Sequence, residues 1–292
     1  MKVSELYTKV LQILEDGKCE SPTFDAMCLL EDIGEIGRGN VLLKKDYIIA
    51  QELTERILEA AKQRAAGTPL QYLLGTWDFL NLTLKVGEGV LIPRPETELL
   101  CQTVAESLSA QKRTRPAVVW DLCAGTGCVG LGIASLYPHC EVLAVELSPQ
   151  AISYLAENVN AYPDFSVKVQ QANIVTDFSH PAFNGTPDVI VSNPPYIPRG
   201  ELADLQREVQ CEPILALDGG EDGYAFYHAI AKHWARKLSQ NGLLAVEVGI
   251  GQAEFVAAMF RATGFFANIK IVQDYANIDR IVLAHKREDC SR

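Results

Sequence analysis

Apolar positions along this chain change period twice. Over residues 3–66 they recur at helical spacing, with Val3, Leu6, Tyr7, Val10, Leu11 and Leu14 on one face. Ser21-Pro22 marks a helix start with proline at the first helical position, and a third helical stretch is expected over 46–66, stopping at Gly67. Between residues 77 and 92 the period falls to two. Leu80, Leu82, Leu84 and Val86 alternate, and Gly87-Glu88-Gly89 offers a turn before Val90-Leu91-Ile92, which predicts a β-hairpin. Pro93-Arg94-Pro95 closes it. Each proline pushes its predecessor towards extended backbone, so Ile92 and Arg94 are expected to be extended, with a helix over 98–108.

Beyond residue 116 short apolar runs alternate with helical patterns. Strands are expected at 117–122, 141–146, 167–170, 188–192, 243–248, 269–272 and 280–284, with helices at 130–137, 149–160, 225–238 and 252–263. Such alternation predicts an α/β fold with a mostly parallel seven-stranded sheet covered on both faces. The link between the last two strands is too short for a parallel crossover, so the sheet is expected to end with one antiparallel strand.

Composition narrows the class. The chain has 292 residues, 48% of them apolar, enough for a sizeable core. No apolar run reaches a membrane span, and the N-terminus lacks the features of a signal or transit peptide, so a cytoplasmic protein without a membrane anchor is expected. The eight cysteines form no Cys-x-x-Cys pair and no zinc spacing, which fits reduced thiols and no metal. The formal charge of −11 disfavours stable nucleic-acid binding, because a duplex partner is held by positive surface that displaces counterions.

Two segments carry chemistry. The first is Asp121-Leu122-Cys123-Ala124-Gly125-Thr126-Gly127-Cys128-Val129-Gly130, a glycine-rich turn between a strand and a helix that lets the backbone approach a nucleoside. Glu146, at the end of the next strand, is placed to accept hydrogen bonds from ribose hydroxyls. This motif alone fits a nicotinamide enzyme as well as a methyltransferase. The second segment, Asn193-Pro194-Pro195-Tyr196, follows the fourth strand of the sheet, at the edge where open α/β folds bind ligands. Its prolines stiffen the chain and remove two donors. The Asn193 side-chain carbonyl and the Pro194 backbone carbonyl are left, and two acceptors suit an NH₂ group. Tyr196 is expected to cover the flat face of that group. Arg94 and Glu96 are candidates to line the site, against a simple surface ion pair. Asn173 and Ile174 follow the third strand where an adenine ring would lie, although one loop asparagine is more often turn chemistry. Asn158 reads as structural.

With these residues in place the chain resembles the release-factor glutamine methyltransferase family over nearly its whole length. The resemblance rests on Gly67-Thr68-Pro69-Leu70-Gln71-Tyr72, Leu91-Ile92-Pro93-Arg94-Pro95-Glu96-Thr97-Glu98, Asp121 to Gly127, and Ser192-Asn193-Pro194-Pro195-Tyr196-Ile197. Glu212-Pro213, Gly219-Gly220 and Glu247-x-Gly249-x-Gly251-Gln252 complete it. It implies a Rossmann-like class I methyltransferase domain over 93–292, a helical substrate-recognition domain over 1–75 and a linking hairpin over 76–92. It implies S-adenosylmethionine as methyl donor, held by Asp121, Cys123, Ala124, Gly125, Thr126, Gly127, Glu146, Asn173, Ile174 and Asn193. It also implies a substrate, the glutamine of the Gly-Gly-Gln loop of class I peptide chain release factors, gripped by Asn193, Pro194, Pro195 and Tyr196 in a protein acting as a monomer. Two departures stand out. Cys123-Ala124 replaces the commoner Gly-Thr, a cysteine being favoured in sister enzymes that act on a ribosomal protein. Asn173-Ile174 stands where an acidic residue and an aromatic are usual; an asparagine carbonyl would still accept the adenine amino hydrogens. The alternatives are glutamine methylation of a ribosomal protein, adenine-N6 methylation of nucleic acid, a nicotinamide oxidoreductase and a non-catalytic ribosome-associated binder.

Overall fold

The structure is a computed structural model that describes residues 1–37 and 39–288. Cys290 lies outside the described residues, and none of the seven described cysteines is in a disulfide. The chain forms two compact units, one of Met1–Thr76 with Gln206–Cys211, the other of Trp77–Leu205 and the chain from Glu212 onward.

In the smaller unit the helical spacing becomes α1 (Val3–Asp16), which buries Val3, Leu6, Val10 and Leu14. Pro22 opens α2 (Pro22–Cys28), which continues into a π-helical turn at Leu29–Ile33. The third helix, α3 (Gln51–Ala65), starts at Gln51 rather than at residue 46, because Ile48 is drawn into an antiparallel bridge with Lys2. Gly67 ends this run with φ +109°, and a short α4 (Leu70–Leu74) follows. The non-contiguous segment is fastened by charge: Arg64, buried, bonds Asp25 at 2.7 Å and Glu208 at 2.6 Å.

The hairpin follows, in a different register from the one expected. Its strands are β1 (Thr76–Phe79) and β2 (Leu82–Lys85), joined through Leu80 and Asn81, and Leu80 takes φ +55°. Only an antiparallel pair can be joined by two residues. Gly87-Glu88-Gly89 therefore lies beyond the hairpin, and Val90-Leu91-Ile92 is not a strand. Arg94 is extended as expected (φ −102°, ψ 145°), but the helix α5 (Pro95–Ser109) begins at once on Pro95, so Glu96 and Thr97 sit in its first turn.

The main sheet comprises β3 (Ala117–Leu122), β4 (Cys140–Glu146), β5 (Val167–Gln171), β6 (Val189–Ser192), β7 (Leu243–Glu247), β8 (Phe266–Gln273) and β9 (Asp279–Lys286), in the order β5-β4-β3-β6-β7-β9-β8. The antiparallel strand β9 is inserted between β7 and β8 and does not form the edge. Helices α6 (Cys128–Leu136) and α7 (Pro149–Ala161) join the strands on one side of the switch, with Ser148 Oγ capping α7 through Ala151 N–H at 3.3 Å. A one-turn α8 (Ile214–Leu217) and α9 (Ala225–Ala229), extended by π and 3-10 turns to Lys237, precede β7. Helix α10 (Ala253–Ala262) leads to β8. Strand alternation sends Trp120, Leu122, Ile190 and Val246 into one core with Trp234 and Phe260, and Val119, Val191 and Ala245 into the other with Leu100 and Leu131. Each fully buried large side chain contributes about 1.5–3 kcal/mol.

Strand order reverses between β3 and β6, the switch point at which open α/β sheets bind ligands. Leu122 pairs with Ser192 across it, so the chain leaves both strands at the same level, and Ser192 Oγ donates to the Leu122 carbonyl at 2.6 Å.

Candidate active site

Above the switch point lies a cleft partly open to solvent. Its wall includes Cys123, Ala124, Gly125, Thr126, Glu146, Asn173, Ile174, Asn193, Pro195 and Arg94 from the expected set. Asp121, Gly127, Pro194, Tyr196 and Glu96 are not part of that wall.

The glycine turn is built as its sequence requires. Cys123, Gly125 and Gly127 take positive φ values of +64°, +56° and +83°. A Cβ at Gly125 would meet nothing within 4 Å, which leaves that face clear. One at Gly127 would strike Leu155 at 2.5 Å, so Gly127 serves packing. Glu146 is braced by three backbone donors: Gly125 N–H to one carboxylate oxygen, Leu147 and Ser148 N–H to the other, each at 2.8 Å. Asp121 is fully buried beneath the turn. One oxygen accepts from Gly130 N–H at 2.9 Å, and the other has no partner among the described residues. Burial, partly offset by the Gly130 N–H and reinforced by the charge of Glu146, pushes the Asp121 carboxyl up to about 7. Asn158 is structural as expected: it bonds Lys85 on β2 and donates to the Thr126 carbonyl at 2.9 Å.

Asn173 lies in the cleft wall, and its Oδ1 accepts from Val175 N–H at 2.9 Å in an Asx turn, which leaves one lone pair of that oxygen and the Nδ2 for a base. Ile174 is buried in the wall, and its carbonyl accepts from Trp234 Nε1 at 2.8 Å.

At the end of β6, Asn193 Nδ2 donates to Thr97 Oγ at 3.1 Å, and Thr97 Oγ donates to Glu247 at 2.6 Å. Tyr196 lies outside the cleft wall, its ring against Gly249 and its carbonyl accepting from Gln252 Nε2 at 2.9 Å. Burial pushes its phenol up to about 12, which holds it neutral. Arg94 does not pair with Glu96. It bonds Glu212, whose other oxygen accepts Ile92 N–H at 2.9 Å, so the 92–94 wall and the Pro213 wall are tied together. Glu96 lies 3.9 Å from Arg280, half-exposed. Thr97, Ser192, Glu212 and Glu247 are the residues that motif logic left without a role. All four lie inside the motifs that carry the resemblance, but only the fold shows what they touch.

The donor set fits a nucleoside bearing a cationic chain. A braced carboxylate faces the cleft at Glu146, an orphaned buried oxygen waits on Asp121, and the Gly125 turn is open on the cleft side. This sheet order, with a glycine turn after β3, a carboxylate ending β4 and an acceptor corner ending β6, defines a class I S-adenosylmethionine-dependent methyltransferase. Residues 5–75 match the family model described as the PrmC N-terminal domain, and residues 95–209 match the Methyltransferase small domain. A release factor glutamine methyltransferase from Moorella thermoacetica is 34% identical over 289 residues, covering 99% of this chain and 100% of that protein. Another from Geobacter sulfurreducens is 41% identical over 221 residues, covering 75% and 74%. The solved 16S rRNA N2 G1207 methyltransferase of T. thermophilus, in complex with AdoMet and guanosine, is 20% identical and covers 73% of this chain and 50% of that one with a TM-score of 0.51, a likeness of fold. The chain belongs to the release factor glutamine methyltransferase family. The nicotinamide alternative is thereby dropped. Among the described residues no helix is long and apolar enough to cross a membrane.

Proposed function

We propose that this chain transfers the methyl group of S-adenosylmethionine to the side-chain amide nitrogen of the glutamine in the Gly-Gly-Gln motif of class I peptide chain release factors. The observation that carries this reading is the Asn193 amide. Its NH₂ is spent on Thr97, so its carbonyl oxygen is left for a substrate beside the Gly125 turn. Asn193 Oδ1, in the cleft wall, takes one hydrogen of the substrate NH₂, and the carbonyl of Pro194, next to that wall in the chain, takes the other. An amide nitrogen is a poor nucleophile because its lone pair is delocalised. Drawing on both N–H bonds favours a pyramidal nitrogen whose lone pair is directed at the cleft. When bound, S-adenosylmethionine supplies an electrophilic methyl on a sulfonium. Glu146, the 123–127 turn and the Asn173-Ile174 wall hold it, and the alkylated nitrogen sheds its proton to water. Positioning alone is worth up to about 7–11 kcal/mol in favourable intramolecular cases, and no general base is needed before attack. Pro195 shapes the wall, while Tyr196 stiffens the corner from outside it.

The helical unit serves release-factor recognition, and the protein acts as a cytoplasmic monomer without stable nucleic-acid binding; its charge of −11 favours a protein substrate. The test is methyl transfer from labelled cofactor to purified release factor and to its loop variant with the glutamine changed to alanine. Only the first is expected to be labelled; equal labelling removes that glutamine as the target. Labelling of a ribosomal protein instead, or nuclease-sensitive labelling in an extract, moves the substrate to the alternatives. Asn193→Ala is expected to lower kcat by about 10²-fold or more while cofactor affinity, measured by calorimetry, changes little.

A further inference from the structure

An asparagine amide is nearly symmetric in shape, so shape alone does not decide which end faces a substrate. The chemistry does decide it. The substrate offers NH₂, and an Asn193 turned end for end would set two donors against each other. Whatever breaks that symmetry shares in catalysis without touching the substrate. We infer that Thr97 and Glu247 are positioning residues that lock the Asn193 amide with its carbonyl oxygen towards the substrate, an inference that rests on the function proposed above.

The geometry is a polar relay. A Glu247 carboxylate can only accept. It therefore draws the Thr97 hydroxyl proton, at 2.6 Å, and leaves Thr97 Oγ to accept from Asn193 Nδ2 at 3.1 Å. Thr97 is 1% and Glu247 3% exposed, so water does not substitute for either partner. The anchors are rigid. Thr97 lies in the first turn of α5 behind Pro95. Glu247 ends β7, and Val246 pairs with Ser192, which sets Glu247 level with Asn193. The Glu247 carbonyl is held in turn by the Tyr227 hydroxyl at 2.9 Å.

Ionisation of Glu247 gives the relay its sense. The charged and titratable groups that bear on it are Glu96 on α5, Arg94 before it, Arg280 on β9, Tyr196 after β6, Tyr227 on α9, and the thiols of Cys101 and Cys128. Burial pushes the carboxyl up to about 7, against the Thr97 hydrogen bond. Once protonated, Glu247 can donate to Thr97, whose own proton is then free to meet the Asn193 carbonyl. The lock is lost as pH falls through that range.

The experiment uses the full-length protein, saturating S-adenosylmethionine and purified release factor. Thr97→Val is expected to lower kcat by about 10²-fold, with cofactor affinity close to wild type and a lower melting temperature, because Glu247 and Asn193 Nδ2 each lose a buried partner. Thr97→Ser is expected to recover most of that loss. Adding Thr97→Val to Asn193→Ala should slow the enzyme no further, because both remove one device. Wild-type kcat should show an acid limb near pH 7 that Glu247→Gln lacks. The relay also has a readout that needs no substrate: with asparagine selectively ¹⁵N-labelled, the Asn193 side-chain protons should exchange slowly in the wild type and fast in Thr97→Val. Wild-type kcat in Thr97→Val, losses that multiply in the double variant, or unchanged exchange would each overturn the inference. Absence of release-factor labelling by the wild type, or full activity in Asn193→Ala, instead sinks the proposed function, and the exchange measurement tells the two failures apart.

Discussion

At the scale of single residues, two glycines of the segment after β3 do different work. A Cβ at Gly125 would face open space in the cleft, whereas one at Gly130 would meet Val142 Cγ1 at 2.9 Å and Asp121 Oδ2 at 3.1 Å. Gly125→Ala carries only the cost of a left-handed backbone, about 1 kcal/mol, but it fills the space that the cofactor approaches. It is expected to weaken S-adenosylmethionine binding at least about tenfold, or roughly 1.4 kcal/mol, with a small drop in melting temperature. Gly130→Ala overpacks a buried helix–strand contact and is expected to lose about 1–3 kcal/mol in denaturant unfolding. Calorimetry beside denaturation separates them, and equal behaviour would contradict the assignment. The same contrast explains what was legible beforehand. Gly125, Glu146 and Asn193, which the fold brings to one cleft, announce their places through neighbours in the chain, as turn, strand end and proline pair. Thr97 and Glu247 are 150 residues apart, so their hydrogen bond has no local signature. The Asx turn at Asn173 is likewise local, and its one accepted bond orients the side chain in the cleft wall.

At the scale of elements, strands and crossover helices were legible because buried runs and helical periods differ sharply. The hairpin register was not. Alternation at Leu80, Leu82 and Leu84 looks the same whether the chain turns at Leu80-Asn81 or at Gly87-Glu88-Gly89. The turn that won uses a non-glycine residue at φ +55°, with Leu80 N–H bonded to Glu98 at 2.9 Å. At the opposite end of the sheet from the cleft, Asp188 fastens the entry to β3 against the start of β6. It accepts from Arg113 at 3.0 Å, from Arg115 at 2.8 Å and from Val118 N–H at 2.9 Å. Burial acts to raise its pKa, but these donors outweigh it and hold the carboxyl below its ordinary 3.8. A depressed folded value means that the stabilisation is present above 3.8 and is lost as pH falls through the folded value. Asp188→Asn is therefore expected to cost about 3 kcal/mol near neutral pH and to unfold with a flatter dependence on acid than the wild type. Parallel acid-unfolding curves for the two proteins would refute the claim that this carboxylate joins the two strands.

At the scale of the whole molecule, the mostly parallel α/β sheet and the helical unit follow from alternation and period, whereas the insertion of β9 between β7 and β8 does not. The contribution of Gln206–Cys211 to the smaller unit does not, since it depends on Arg64 meeting Glu208 from a distant part of the chain. Proton balance is likewise a property of the assembled fold. Asp121 and Glu247 are both buried, and both carboxyls are pushed up to about 7. Their raised folded values add stability that is complete below the unfolded values of 3.8 and 4.5 and is lost as pH rises to about 7, at about 1 kcal/mol per pH unit for each group. The ligand-free protein is thus expected to melt lower at pH 7 than at pH 5. S-adenosylmethionine held by the 123–127 turn, as proposed above, would bring its positive charge near Asp121 and favour the ionised carboxylate, so binding in the window below 7 would release a proton. Affinity is expected to tighten as pH rises from 6 to 8, by up to about tenfold, with a binding heat that changes with the ionisation enthalpy of the buffer. The cofactor's own amino group also titrates nearby, and Asp121→Asn isolates the protein's share by flattening whatever part belongs to the carboxyl. Identical pH dependence in that variant would mean that Asp121 stays in one protonation state throughout, and that the charge under the glycine turn plays no part in capturing the methyl donor.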